Sequence, residues 1–216
     1  MKVPDQSPDS THILPSRKLP PWAWLLILLV GIAAVTWISP AEKSLGAEVR
    51  VVYLHGAWVW ASLLFFSAAG VTGLLGLLTR HNPLNCWSRA LGRAGLAFWI
   101  SYLPLSLWAM QTNWNGLFLA EPRWRLAIVF ALGGLLLQIG VSLVDNPAWA
   151  SAANLAFLLC LGLALIGAEN VMHPPSPIFD SEVLRIQIFF SGLLLLTTLA
   201  AWQLARWFHH LDQRCT

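Results

Sequence analysis

The sequence predicts an all-α integral membrane protein, a bundle of six transmembrane helices with both termini cytoplasmic. Three observations carry that expectation. Of 216 residues, 57% are hydrophobic and only 11% charged, whereas a soluble domain carries about 25% charged residues. Six apolar runs recur along the chain, each close to the roughly 20 residues a spanning helix needs. Thirteen tryptophans stand against two tyrosines, many at the ends of those runs, the depth at which indole rings prefer to sit.

Residues 1–20 are polar and contain Pro4, Pro8, Pro15 and Pro20. They hold too little apolar surface to pack, so a disordered cytoplasmic tail is expected. The first apolar run covers 22–38. It is longer than the 7–15-residue core of a signal peptide, and the cleavage-like Leu45-Gly46-Ala47 lies well downstream. A retained first helix is expected. Five further runs lie at about 53–78, 94–110, 126–144, 149–168 and 184–208. Spanning segments must close their backbone hydrogen bonds internally, which makes each of them a helix. The membrane domain is read as 21–208, followed by a short cytoplasmic tail, 209–216.

Orientation follows from the distribution of basic residues. With the N-terminus inside, cytoplasmic segments hold Lys2, Arg17, Lys18, Arg80, Arg89, Arg93, Arg206 and Arg214. Exoplasmic loops hold Lys43, Arg50, Arg123, Arg125 and Arg185. The segment 80–93 reads as a long loop with three arginines and no acid. Glu42, Glu48, Glu121, Glu169, Asp180 and Glu182 fall on the opposite side.

Within the spans, Gly70, Gly73 and Gly76 form a small-residue face for close helix approach. Pro104 is expected to kink the third span. Gln138, Asn154 and Gln187 are read as interhelical hydrogen-bonding residues. No charged side chain is expected deep in a span, which argues against a pump built on buried charge. Cys86, Cys160 and Cys215 lack metal-ligand spacing and imply no exoplasmic disulfide. A net charge of +3, scattered along the chain, gives no case for nucleic acid. No phosphate-binding glycine loop is present, so nucleotide-driven work would belong to a partner.

On this topology His12, His81, His209 and His210 are cytoplasmic. His55, opening the second span, and His173, preceding the sixth, are exoplasmic. His173 stands before Pro174, Pro175 and Pro177, which stiffen the segment and prevent a continuous helix there. The loop between spans three and four carries Trp114 and Trp124 with Arg123 and Arg125. Imidazoles, aromatic surface and guanidinium groups together suit haem: an iron that accepts imidazole nitrogen, a flat apolar ring, and two propionates. The plainer reading is that loop histidines are polar surface and that interfacial tryptophans are membrane anchors. Residue types alone leave both open.

The stretch Glu48-Val49-Arg50-Val51-Val52-Tyr53-Leu54-His55-Gly56-Ala57-Trp58 resembles the first histidine motif of the CcmC-type haem-handling family of cytochrome c maturation. Met172-His173-Pro174-Pro175-Ser176-Pro177-Ile178 resembles its second. The likeness runs from the first span to the sixth. The middle loop departs from the family pattern, which is a dense tryptophan run ending in Trp-Asp. Here it reads Asn113-Trp114-Asn115-Gly116-Leu117-Phe118-Leu119-Ala120-Glu121-Pro122-Arg123-Trp124-Arg125-Leu126.

The resemblance implies a multi-pass protein of a bacterial-type inner membrane that holds haem b, non-covalently and transiently, at the exoplasmic surface. His55 and His173 would be the axial ligands, with Trp114, Trp124, Arg123 and Arg125 around the ring. It implies as partners a haem chaperone, apocytochrome c and ABC-type transporter subunits, beside the bilayer itself, and no hydrolytic chemistry. Two alternatives stand beside it. One is a haem-free, permease-like or scaffolding subunit; the other is a b-type membrane cytochrome that moves electrons.

Overall fold

The computed structural model describes residues 19–43, 45–169, 178–179 and 183–212. Six helices follow in order: α1 (Pro21–Trp37), α2 (Val49–Thr79), α3 (Asn82–Trp114), α4 (Pro122–Val144), α5 (Pro147–Ile166) and α6 (Leu184–Leu211). Four of them, α2, α4, α5 and α6, are long and apolar enough to cross a membrane. A multi-pass membrane protein is the architecture that results. The 17-residue α1 is shorter than those four. The 33-residue α3 is more polar than the others.

Local sequence explains the ends. α3, α4 and α5 each begin with proline in the first turn, where the missing N–H costs nothing. Glu121 caps α4 by accepting from the Trp124 backbone N–H, and Asn146 caps α5 by accepting from that of Ala148. α2, α3 and α4 stop at Arg80, Asn115 and Asp145, each in the left-handed conformation. The α2–α3 and α4–α5 connections are therefore tight turns, which define one end of the bundle. The opposite end carries the start of α2, the 115–121 loop and residues 178–179.

α3 is the central helix, packing on α2, α4, α5 and α6. It begins far earlier than expected. Residues 82–93, read as loop, form its first three turns, leaving a connection of Arg80 and His81 alone. Those turns are polar because other helices surround them. Asn154 donates to the Ser88 carbonyl at 2.8 Å, Ser151 donates to Asn85 at 2.8 Å, and Ser88 donates to the Ala69 carbonyl at 2.7 Å. Gln138 extends this ladder by donating to Asn154 at 3.1 Å. The interhelical role expected of Gln138 and Asn154 thus holds. Gln187 instead donates to the Phe179 carbonyl, in the segment preceding its own helix.

Arg89 is buried, but near the start of α3 and beside the α4–α5 turn rather than deep in a span. Only 4% exposed, it lies in α3 and pairs with Asp145 at 3.2 Å and Asp212 at 3.2 Å. Arg93 reaches Asp212 and donates to Ser142. Both acids come from distant segments, so the arginine-rich stretch on which the expected orientation leans is partly neutralised in the fold. At the same end Trp87 stacks on Trp202 and on His209. α6 continues through His209 and His210, which the sequence placed in the tail. Cys86, buried in α3, is disulfide-bonded, while Cys160 is a free, exposed thiol.

The glycine face of α2 forms as expected. A Cβ on Gly70 would meet Leu158, one on Gly73 would meet Ser88 and the Ser151 carbonyl, and one on Gly76 would meet Asn85. α3 is a single helix through Pro104.

Candidate functional site

His55 is the seventh residue of α2, about 9 Å along the helix from its N-terminal end at 1.5 Å per residue. The half-buried ring packs against Tyr102 of α3, with ring centroids 5.5 Å apart and planes inclined at 56°. One turn further along α2, Trp58 donates to the Ser101 hydroxyl at 3.0 Å and packs on Phe98. The α2–α3 contact beside His55 is thus aromatic and buried, with a polar tie at Trp58.

Gly56, the next residue, is a point of close approach. A Cβ there would lie 3.3 Å from the Phe190 ring of α6 and 3.8 Å from the Ile178 side chain. Phe179 packs edge-on against Phe190 at 5.3 Å, and Gln187 holds the Phe179 carbonyl at 3.0 Å. His173 itself lies outside the described residues. Ile178, five residues further along the chain, lies against α2 at Gly56, the residue after His55.

The middle loop is short because helix consumes both its flanks. Trp114 is the last residue of α3 and 42% exposed. Trp124 lies in the first turn of α4 and is only 6% exposed. Its backbone N–H donates to Glu121 at 2.6 Å. The two tryptophans therefore differ in kind, one at the surface and one in the core. Between them Leu117, Phe118 and Leu119 are exposed and give the loop an apolar tip. That tip went unnoticed in the sequence because the pattern sought there was tryptophan.

Arg123 and Arg125 also belong to the first turn of α4. Two residues apart on a helix, they point to nearly opposite faces. Arg125 lines an open groove of about 360 Å³ between α4 and α5, with Pro122, Val129, Ala164 and Glu169. Arg123 is half-buried. Tyr102 is the residue sequence reasoning missed. Only 6% exposed, it touches both His55 and Trp99. Its recurrence at three-residue spacing from Trp99 marked a helical face, without showing which neighbour that face met.

The described residues offer an imidazole in aromatic surroundings and, at the same end of the bundle, an exposed apolar loop followed by Arg123 and Arg125 in the first turn of α4. Imidazole and apolar surface are groups that a flat, iron-bearing ring would use. Among the described residues no group of three or more His, Cys, Asp or Glu side chains is placed to hold a metal ion.

No family model matches the chain. It is 24% identical over 193 residues to a putative cytochrome c biosynthesis ccmC-like mitochondrial protein of Marchantia polymorpha, covering 82% of this chain and 80% of that one. It is 23% identical over 188 residues to heme exporter protein C of Bradyrhizobium diazoefficiens, covering 82% and 71%. The corresponding protein of Rhodobacter capsulatus is 26% identical over 152 residues, covering 68% and 61%. The resemblance first read in two short histidine motifs extends over most of the chain.

Proposed function

We propose that this protein holds haem b, as cargo rather than as a resident cofactor, at the exoplasmic surface of a bacterial-type inner membrane during cytochrome c maturation. One observation carries the reading furthest. Ile178 and Phe179, which end the His173-bearing segment, pack on Gly56 and Phe190 beside His55. Residues 178–179, which follow His173 by five and six positions, thus lie against the helix that carries His55 and against α6. The names of the relatives point the same way.

In this reading His55 and His173 supply neutral imidazole nitrogen to the iron. Trp114 and the Leu117–Leu119 tip offer apolar surface to the ring, and Arg123 or Arg125 a charge to a propionate. Trp124 contributes by fixing the start of α4 from within the core, since its ring is buried. Acceptance by a haem chaperone or apocytochrome c, and work by ABC-type transporter subunits, would follow outside this chain. No hydrolytic step is assigned to it. The N-terminal tail at 1–20 and both cytoplasmic termini belong to the same proposal.

The test is the absorbance of purified protein from haem-replete cells. Wild type should show a reduced b-type band; His55→Ala and His173→Ala should lose or shift it, and His81→Ala should not. A wild-type protein without that band, and without a Soret shift when titrated with haem, favours instead a haem-free scaffolding subunit. The replacement of the expected tryptophan run by Leu117, Phe118 and Leu119 is the observation that supports that second reading.

A further inference from the structure

A ligand-bearing imidazole on a helix is free to rotate about its last torsion unless something stops it. Metal-binding histidines elsewhere are held by partners that fix ring plane and tautomer, and loss of such a partner costs about 10–100-fold in affinity. On α3 the ring facing His55 is Tyr102, at 5.5 Å and 56°. Tyr102 is itself immobilised. It is 6% exposed and packs edge-on against Trp99 at 5.0 Å. Trp99 is 2% exposed, and its indole N–H donates to the Ala127 carbonyl of α4 at 3.1 Å. Six residues before Ala127, Glu121 caps α4 with one carboxylate oxygen. Its other oxygen is buried without a hydrogen-bond partner among the described residues. The chain of contacts runs from the start of α4 through Trp99 and Tyr102 to His55, every link aromatic or hydrogen-bonded.

We infer that Tyr102 is a positioning residue that fixes the orientation of the His55 imidazole. The purpose of this brace rests on the haem-holding reading above, but its existence does not. A ring clamped before any ligand arrives spares the ordering cost at binding. The benzene ring makes the contact with His55, so phenylalanine should serve in its place and leucine should not.

The first measurement needs no haem. Protein labelled in the histidine ring is studied by NMR in detergent micelles, with the His55 resonance assigned by its loss in His55→Ala. In wild type and Tyr102→Phe the His55 ring signals should share one shifted position. In Tyr102→Leu they should move toward those of exposed histidines. Phe65→Leu, an equally buried change ten residues along α2, should leave them in place, which separates positioning from general loosening of the bundle. His55 signals that are unchanged in Tyr102→Leu, or that move equally in Phe65→Leu, overturn the inference. The second measurement is haem retention. Tyr102→Leu should release haem about tenfold faster or more, and Tyr102→Phe should release it at the wild-type rate. Wild-type protein that takes up no haem while its His55 signals still respond to Tyr102→Leu sinks the proposed function and leaves the brace standing.

Discussion

Arg89 shows how a single side chain can contradict a sound reading of composition. In sequence it lies among Arg80 and Arg93 with no acid nearby, the pattern of a solvated cytoplasmic loop. In the fold it is buried, and its charge is met by Asp145 from the α4–α5 turn and Asp212 beyond α6. Nothing local to residues 80–93 announces either partner, because pairing across 56 positions is invisible to any window. The positive φ of 51° at Asp145 belongs to the same arrangement, the turn bringing the carboxylate back over α3. Without Arg89, Asp212, 10% exposed, keeps the longer contact to Arg93, while Asp145, 41% exposed, is open to water, so the loss falls below the cost of breaking a fully buried pair. Arg89→Ala should still lower the thermal unfolding midpoint in detergent. Arg80→Ala, at an exposed position with no ion pair among the described residues, should leave it within error. Equal midpoints for the two variants would contradict the clamp.

At the scale of the element, α2 was legible and α3 was not. Glycines at 70, 73 and 76 share a face of α2, and that face is where α3 and α5 approach. The approach differs from one glycine to the next. At Gly70 the obstacle is the flexible end of Leu158, 2.5 Å from an added Cβ, whereas at Gly73 it includes the Ser151 carbonyl at 3.0 Å. Backbone cannot step aside as a leucine can. Gly73→Ala should cost about 1–3 kcal/mol from overpacking, and Gly70→Ala less. Gly31 in α1, with nothing within 4 Å of an added Cβ, should gain up to about 1 kcal/mol on change to alanine. Denaturant titration of the three variants would check the order. α3 was misread for the opposite reason. A helix enclosed by others does not need apolar residues all round: Asn85 accepts from Ser151, and Ser88 accepts from Asn154, both across the α3–α5 interface. Periodicity sees apolar stripes facing a core; it does not see polar residues with reciprocal partners.

For the whole molecule, the six-helix count was legible from apolar runs and the two histidine motifs from their resemblance to a known family. The contacts around them were not. His55 with Tyr102, and Ile178 with Gly56, depend on how α2, α3 and α6 are rotated about their axes, a property no run of residues encodes by itself. Arg123 and Arg125 illustrate the same limit: neighbours in sequence, they serve different faces once the loop becomes helix. The proposed orientation is open to a direct check. A membrane-impermeant thiol reagent on spheroplasts should label Leu119→Cys, at the loop tip, in a background with Cys160 replaced. It should label Arg80→Cys only after permeabilisation. The reverse pattern would invert the bundle and separate His55 from the exoplasmic surface.

The length of α2 has one more consequence. Thirty-one residues make a rod of about 46 Å, against a hydrocarbon slab of about 30 Å. Shared equally between its two ends, the excess of about 16 Å leaves about 8 Å of overhang on each side. His55, about 9 Å in from the N-terminal end, then lies at the seam where acyl chains give way to headgroups, on the outer side in the proposed orientation. A flat amphiphile already dissolved in the outer leaflet rests at that same depth, acidic edge toward water and ring toward oil. It would meet the imidazole sideways, by diffusion within the leaflet, with no descent from the aqueous phase.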